Sequence, residues 1–408
     1  MHETQAEVDL ILTLTGALGT AVVLGFITEK LRMSPIVGYL LAGIAVGPFT
    51  PGFVANHELA SQGAEIGVVL LMFGVGLHFH LKDLMAVRRV AIPGALVQIL
   101  AASLAGMIAT RLLGWSWSGG LVFGMAISVA STVVLIRVLS DNNLLATPEG
   151  HLAVGWLIVE DLFTVLVLLL LPAVAGGTSG SHAAGNAWLT LGIALLKLAA
   201  LVLFALSVGR KMIPAFLQAV ARTGSGELFT LTVLVVALGL AVAAARLFGA
   251  SMPLGAFIAG MIVGQSEFGA RAASHALPMR DAFAVLFFVS VGMLLDPSSI
   301  TAQWPLMLLT LGIILAAKPL AALLVVLAFR RPWTSALVIA LSLTQIGEFS
   351  FILAALATNM KLLPPEATNA LVFSSIVSIT LNPLLFRTFS RSIRRLEKQP
   401  EPATPLIN

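Results

Sequence analysis

Long apolar runs, each bounded by charged residues, glycine or proline, follow one another along the whole chain. A helix needs roughly 20 apolar residues to cross a bilayer, and most of these runs approach that length. None shows the ten-residue alternation of apolar and polar positions that is typical of a membrane β-barrel. The pattern predicts an all-α polytopic membrane protein with about thirteen transmembrane helices, at residues 8–27, 34–50, 60–77, 90–112, 117–139, 150–174, 188–209, 226–247, 251–265, 281–295, 303–328, 333–358 and 366–389.

The composition is that of an integral membrane protein. Hydrophobic residues make up 58% of the 408 positions and charged residues 10%, with a mean hydropathy of +1.01. A soluble domain carries about 25% charged residues, so membrane lipids are the expected surroundings. The chain has no cysteine, which excludes disulfides and thiolate metal sites. No cofactor is expected.

The lysines and arginines determine the predicted orientation. If the N-terminus lies outside, most of the 23 lysines and arginines fall in inner loops or near the C-terminus. This is the asymmetry of the positive-inside rule, so the formal net charge of +4 reflects orientation and no nucleic-acid partner is expected. We predict a multi-pass protein of the inner (plasma) membrane with its N-terminus outside and its C-terminus cytoplasmic.

An internal repeat divides the chain into two halves. Residues 38–47 match residues 255–264 at glycine and alanine positions, and Val75-Gly76 matches Val291-Gly292 at nearly the same offset. Small residues at this spacing also occur where helices merely pack closely. Seven crossings separate the matching segments, so the halves have opposite topology, a signature of secondary transporters. We predict two inverted six-helix repeats at 1–174 and 226–389, a linker with the seventh span at 175–225, and a disordered cytoplasmic tail at 390–408.

Two apolar runs are interrupted halfway by polar residues or glycine. The fifth span contains Ser131 and Thr132 within 128–132, and the repeat offset places 345–349, with Gln345 and Glu348, in the twelfth span. Unwound backbone at that depth is tolerated only where it is buried in protein or lines a cavity. The repeat therefore predicts two crossed discontinuous helices, whose ends and free carbonyls would face an ion.

Two adjacent acids, Glu160 and Asp161, lie in the middle of the sixth span. A charge at that depth costs on the order of 3 kcal/mol, and like charges side by side repel. At least one acid is therefore expected to hold a proton near neutral pH. Because ionisable groups inside a membrane are functional by default, the pair predicts a place where a monovalent cation, bound at Asp161, competes with protons.

Five further side chains are candidate supports: Lys318, Ser131, Thr132, Glu348 and Gln345. The first four have a structural alternative. Lys318 lies deep in the eleventh span, where it would form an ion pair with Glu160 or serve as a purely structural bridge. Glu348 would either contribute to the ion path or cap a helix end. Ser131 and Thr132 would either ligate the cation or bond back to the preceding turn.

Five segments in order resemble the monovalent cation:proton antiporter-2 family, and in particular its Kef-like potassium/proton exchangers. These segments are AEIGVVLLMFGVGL at 64–77, ISVASTVV at 127–134, GWLIVEDL at 155–162, LFFVSVGMLLD at 286–296 and LTQIGEFSFILA at 343–354. The resemblance implies a homodimer whose protomers have a dimerisation domain and a mobile ion-binding core. It also implies exchange of sodium or potassium for protons by alternating access.

The resemblance places the family's ion-binding aspartate at Asp161 and a core lysine at Lys318. Glu160 departs from the pattern of the family. Kef-type potassium systems more often have glutamine at this position, and electrogenic sodium exchangers have aspartate. The resemblance therefore leaves the choice of ion and the stoichiometry open. Many Kef-like proteins append a cytosolic nucleotide-binding domain, and no G-x-G-x-x-G after a strand occurs in this sequence. The sequence is therefore that of a short member of the family or of part of a longer protein. A cytosolic regulatory domain or subunit is an expected partner.

The predicted function is exchange of a monovalent cation, potassium before sodium, for protons. A ligand-gated potassium efflux channel is an alternative, but it needs a repeated filter of carbonyl rings. A non-transporting sensor or scaffold is a second alternative, and the buried acid pair argues against it. An intramembrane aspartyl protease needs aspartates on two helices, and only Asp161 lies deep in a span. The chain is not expected to be an enzyme.

Overall fold

The computed structural model describes residues 2–397 except 32, 79–80, 146, 177–195, 198, 202 and 249–251. The described part is helical and contains no strand. The helices of the first half are α1 (His2–Lys30), α2 (Pro35–Ala45), α3 (His57–His78), α4 (Leu81–Leu112), α5 (Trp117–Ser128), α6 (Thr132–Asp141) and α7 (Pro148–Gly176).

The second half of the described chain begins with helical residues between 196 and 204, which lead into a short π-helical turn, Ala205–Gly209. It leads into α8 (Arg210–Ala221), α9 (Gly226–Phe248), α10 (Met252–Gly264), α11 (Gly269–Met293) and α12 (Ser299–Gly312). A second π-helical turn, Ile313–Ala317, joins α12 to α13 (Lys318–Ala328). The remaining helices are α14 (Trp333–Ser342), α15 (Glu348–Asn359) and α16 (Pro365–Glu397).

The helices account for the predicted spans. Eight described helical segments are long and apolar enough to cross a membrane, and five shorter apolar helices accompany them. The predicted spans 117–139 and 333–358 are each divided into two short helices. The first part of the predicted seventh span, residues 188–195, lies outside the described residues, as do residues 198 and 202; the rest of that span is helical.

The prediction of a disordered tail from residue 390 is wrong for its first part. Helix α16 continues to Glu397, past the end of the predicted span. No glycine or proline interrupts residues 390–397, and arginine, leucine and glutamate favour the helix there. Pro400 is the first residue that disfavours its continuation. Residues 398–408 lie outside the described part.

The helices form two bundles, each built from both halves of the chain. The support bundle comprises α1, α2, α3, α9, α10 and α11, which pack on one another. The core bundle comprises α4–α7 and α12–α16. Few contacts join the bundles, chiefly those of α16 with α2 and of α10 with α7. The repeat thus contributes equivalent helices to each bundle.

Glycines at matching positions of the repeat hold the support bundle together. A Cβ on Gly292 of α11 would lie 3.0 Å from the Cα of Gly43 on α2. A Cβ on Gly260 of α10 would lie 3.0 Å from the Cα of Gly76 on α3. The repeat relates Gly43 to Gly260 and Gly76 to Gly292, so one close helix contact occurs twice. Close packing and the internal repeat, which the sequence left as alternatives, are both present.

Candidate functional site

Two helices unwind in the middle of the core bundle. Helix α5 ends at Ser128 and α6 begins at Thr132, with Val129 and Ser131 in extended conformations. Helix α14 ends at Ser342 and α15 begins at Glu348. The breaks therefore cover residues 129–131 and 343–347, and the predicted discontinuous helices are confirmed.

The two breaks cross and bond directly to each other. The Gly347 amide donates to the Val129 carbonyl at 3.2 Å. The Gln345 side chain accepts from the Ser131 amide at 2.8 Å and donates to the Ser131 carbonyl at 3.1 Å. A Cβ on Gly347 would lie 2.6 Å from the Ala130 carbonyl oxygen, so only glycine allows this approach. Some of the backbone groups that lose their helical hydrogen bonds in one break thus form hydrogen bonds with the opposite break.

Helix α7 brings both predicted acids to the first break. Glu160 is fully buried, and its Oε2 accepts from the Ala130 amide at 2.7 Å. Asp161 is 7% exposed, and its Oδ2 accepts from the Thr132 hydroxyl at 3.3 Å. Within the described structure, Glu160 Oε1 and Asp161 Oδ1 are buried and have no hydrogen-bond partner. Each acid therefore retains one oxygen that can accept a proton or bind a cation.

Lys318, at the start of α13, is fully buried but forms no direct ion pair with Glu160. Its Nζ donates to the Gln345 carbonyl in the second break at 3.0 Å. The ion pairs found in the described part join Arg137 to Glu29 and Arg280 to Asp281. Of the two alternatives for Lys318, a direct ion pair with Glu160 is not formed, because the ammonium instead bonds to a carbonyl of the unwound segment. The two charges still act on each other through space.

Glu348 is the first residue of α15 and is 3% exposed. Its carboxylate bonds to its own backbone amide and to the Ser131 hydroxyl, which agrees with a capping role. The other oxygen, Oε2, has no partner among the described residues. Its charge acts on Asp161, so a third acid lies near the pair on α7.

Two polar residues near the site, Gln98 and Asn382, were not predicted from the sequence. Gln98 on α4 donates to the Ser128 carbonyl at 2.9 Å and accepts from the Trp156 indole at 3.1 Å. Asn382 on α16 donates to the Leu341 carbonyl in the last turn of α14 at 2.8 Å. These bonds satisfy carbonyls that helix ends leave unpaired. The available signal was an amide side chain well inside a predicted span.

Comparison with known proteins places the chain among membrane transporters. A family model described as "Sodium/hydrogen exchanger, transmembrane" matches residues 18–391. The Escherichia coli (strain K12) protein named "Putative cation/proton antiporter YbaL" is 52% identical over 389 residues, which are 95% of this chain and 70% of that protein. The Arabidopsis thaliana protein named "K(+) efflux antiporter 2, chloroplastic" is 30% identical over 357 residues, which are 86% of this chain and 30% of that protein.

The fold also matches a solved structure. The sodium proton antiporter MjNhaP1 from Methanocaldococcus jannaschii superposes with a TM-score of 0.61. The superposition covers 96% of this chain and 98% of the other, at 18% sequence identity. The two proteins therefore share the arrangement of helices.

Proposed function

The chain belongs to the sodium/hydrogen exchanger family, a family of membrane transporters and not of enzymes, and we propose that it exchanges a monovalent cation for protons. One observation carries this proposal. Asp161 and Glu160 are buried beside two crossed helix breaks, and each keeps one carboxylate oxygen without a partner among the described residues. A proton and a cation can occupy such an oxygen only in turn, and this exclusion couples the two fluxes.

Asp161 is the proposed exchange site. On the inner side it would release a proton and accept a partly dehydrated cation, with the Thr132 hydroxyl and carbonyls of the breaks as neutral oxygen ligands. Hard cations prefer oxygen ligands of this kind. The core bundle then moves against the support bundle, and the cation is exchanged for a proton outside. The few contacts between the bundles favour such a motion.

Glu160 and Lys318 are proposed to hold the breaks. Glu160 accepts a hydrogen bond from an amide of the first break, and Lys318 donates one to a carbonyl of the second. Charged groups make stronger hydrogen bonds than neutral ones. An acid and an ammonium thus fix opposite kinds of backbone group, one in each unwound segment.

Potassium is the proposed ion, with sodium second. The names of relatives at about 30% identity support potassium, whereas the family description names sodium. We further propose a homodimer that joins through the support bundle, in the plasma membrane with the N-terminus outside. A cytosolic regulatory domain or subunit stays a prediction.

Ion flux in proteoliposomes tests the proposal. A potassium gradient should drive proton movement with the wild-type protein, while Asp161→Asn should abolish it. Asparagine keeps the shape of the side chain but does not titrate, so the variant should still purify as a folded protein. Glu160→Gln should be milder and slow the exchange. Coupled flux at near the wild-type rate in Asp161→Asn would show that another carboxylate, Glu160 or Glu348, carries the exchange.

A further inference from the structure

A cavity of about 930 Å³ opens between one end of α4, the start of α7 and the start of α14. Its volume is in the range of small-molecule sites, roughly 300–1,000 Å³. It lies in the core bundle, at the ends of helices rather than at the crossed breaks. Its polar lining includes Arg89, Glu149, His151, Arg331 and Ser335.

The charges of the cavity favour an anion. The guanidinium groups of Arg89 and Arg331 make no ion pair or side-chain hydrogen bond within the described part of the chain. The one acid, Glu149, accepts a hydrogen bond from the Ser335 hydroxyl at 2.7 Å and interacts through space with Arg331, which leaves the charge of Arg89 unbalanced among the described residues. Helices α7 and α14 both begin here, and helix starts carry a partial positive charge. The cavity therefore combines two exposed cations with a single acid that is already bonded.

The rest of the cavity is apolar and continues into exposed apolar stripes. Arg89 lies on the same face of α4 as Leu96 and Leu100, which are 47% and 58% exposed. His151 lies on the same face of α7 as Leu162 and Leu166, which are 44% and 45% exposed. In a membrane protein such stripes face acyl chains. The cavity is thus continuous with the lipid-facing surface of the protein.

An aromatic residue marks the depth of the cavity in the membrane. Trp333 begins α14 two residues after Arg331 and is 50% exposed. Tryptophan is enriched where the bilayer meets water, at the level of the lipid headgroups. The two arginines therefore lie at the depth at which phosphate groups lie.

We propose that this cavity binds an anionic phospholipid, with its phosphate held by Arg89 and Arg331 and one acyl chain along α4 or α7. Basic pockets between transmembrane helices on the cytoplasmic side are typical headgroup sites. The adjoining apolar stripes favour a lipid over a soluble phosphate compound, which would leave the floor of the cavity uncovered. This binding does not depend on which ion the protein exchanges.

Lipid addition to the purified full-length protein in detergent tests the proposal. Phosphatidylglycerol should raise the Tm and remain bound in native mass spectrometry, whereas phosphatidylcholine and inorganic phosphate should do neither. Arg89→Gln/Arg331→Gln should weaken phosphatidylglycerol binding about thirtyfold, since each arginine near an anionic lipid contributes a factor of about five. The control Arg210→Gln/Arg222→Gln removes two exposed charges from the same predicted membrane face and should bind as the wild type.

A second variant keeps the test informative if the double arginine variant does not fold. Val154 also lines the cavity, so Val154→Trp would occupy part of its volume and leave both arginines in place, and this variant should also lose the bound phosphatidylglycerol. Equal binding to the wild type, the cavity variants and the control would overturn the proposal. A Tm shift that inorganic phosphate alone reproduces would overturn it too, by assigning the cavity to a soluble anion.

Discussion

Asp161 and Glu160 are neighbours in the chain, yet their partners differ in kind. Glu160 accepts at 2.7 Å from the Ala130 amide, a backbone group that cannot turn away without moving the break. Asp161 accepts at 3.3 Å from the Thr132 hydroxyl, which rotates freely and can face a cation with its oxygen. A fixed partner suits a structural acid and an adaptable partner suits an exchange site. This difference supports the proposed division of roles, in which Glu160 holds the break and Asp161 exchanges the ion.

Competition at Asp161 predicts a specific pH dependence. If proton and cation bind exclusively, the apparent cation affinity should fall as the pH falls through the range in which the site takes up its proton. At pH values where the protonated form dominates, each further decrease of one pH unit should raise the apparent KM for the cation about tenfold. Proton flux measured against potassium concentration between about pH 6 and pH 9 gives this slope. An apparent KM that is independent of pH would contradict a shared site.

Lys318 predicts a measurable loss of stability. Lys318→Ala removes the donor to the buried Gln345 carbonyl, and an unsatisfied buried group costs about 1–3 kcal/mol. It also leaves Glu160 without the nearby positive charge. We expect a lower Tm, partly recovered in Glu160→Gln/Lys318→Ala, since the double change removes both buried charges. Lys211→Ala, at an exposed position on α8, is the control; strictly additive losses would show that Lys318 and Glu160 do not interact.

At the scale of the helices, the crossing of the breaks depends on one missing side chain. A Cβ on Gly347 would meet the Ala130 carbonyl oxygen at 2.6 Å, and this residue also donates to the Val129 carbonyl. Any side chain there has to separate the two unwound segments. The same movement would draw the Ala130 amide away from Glu160.

Gly347→Ala should therefore lower both stability and exchange. Overpacking of this kind costs about 1–3 kcal/mol, and the altered crossing should reduce exchange at least tenfold. Gly312→Ala is a matched control, since a Cβ at Gly312 meets nothing within 4 Å. Thermal unfolding and proteoliposome flux of both variants provide the measurement. Wild-type exchange in Gly347→Ala would mean that the close crossing is not needed for transport.

The helix breaks and the acid pair were predictable because each is a polar interruption in an apolar run. Gln345 and Ser131 stand out in the sequence in this way, and the repeat offset links them. The sequence did not predict three hydrogen bonds: the one between Gln345 and Ser131, the one from Lys318 to the Gln345 carbonyl, and the one from the Trp156 indole to Gln98. Such contacts depend on the rotation and depth of each helix, which hydropathy does not determine. Sequence therefore located the breaks but not the bonds that hold them.

At the scale of the whole molecule, the two bundles differ in how well they satisfy polar groups. The buried side-chain oxygens without partners in the described structure all lie in the core bundle, on α4, α7, α15 and α16. The support bundle packs instead through glycine contacts such as Gly43 with Gly292. Unsatisfied polar groups are costly in a membrane, and a transport path is a reason to keep them. This contrast supports the proposal that the core bundle binds the ion while the support bundle stays rigid.

An ion pair between described residues joins the two bundles. Arg137 on α6 of the core bundle binds Glu29 on α1 of the support bundle at 2.6 Å. Their side chains are 33% and 51% exposed, so the pair adds little stability, about 0–1 kcal/mol. Its position matters more than its strength, because movement of the core bundle past the support bundle has to break it. The ion pair is therefore expected only in the relative position of the two bundles that this structure shows.

Cross-linking these two positions tests whether the bundles move. The chain contains no cysteine, so Glu29→Cys/Arg137→Cys introduces the only two thiols. A short bifunctional methanethiosulfonate reagent should then stop exchange, and a reductant should restore it, because a covalent link prevents the core bundle from moving. Gln303→Cys/Asn369→Cys joins α12 to α16 within the core bundle, where the native side chains lie 3.5 Å apart, and its cross-link should leave exchange intact. Undiminished exchange with the first pair fully cross-linked would show that transport proceeds without relative movement of the bundles at this point.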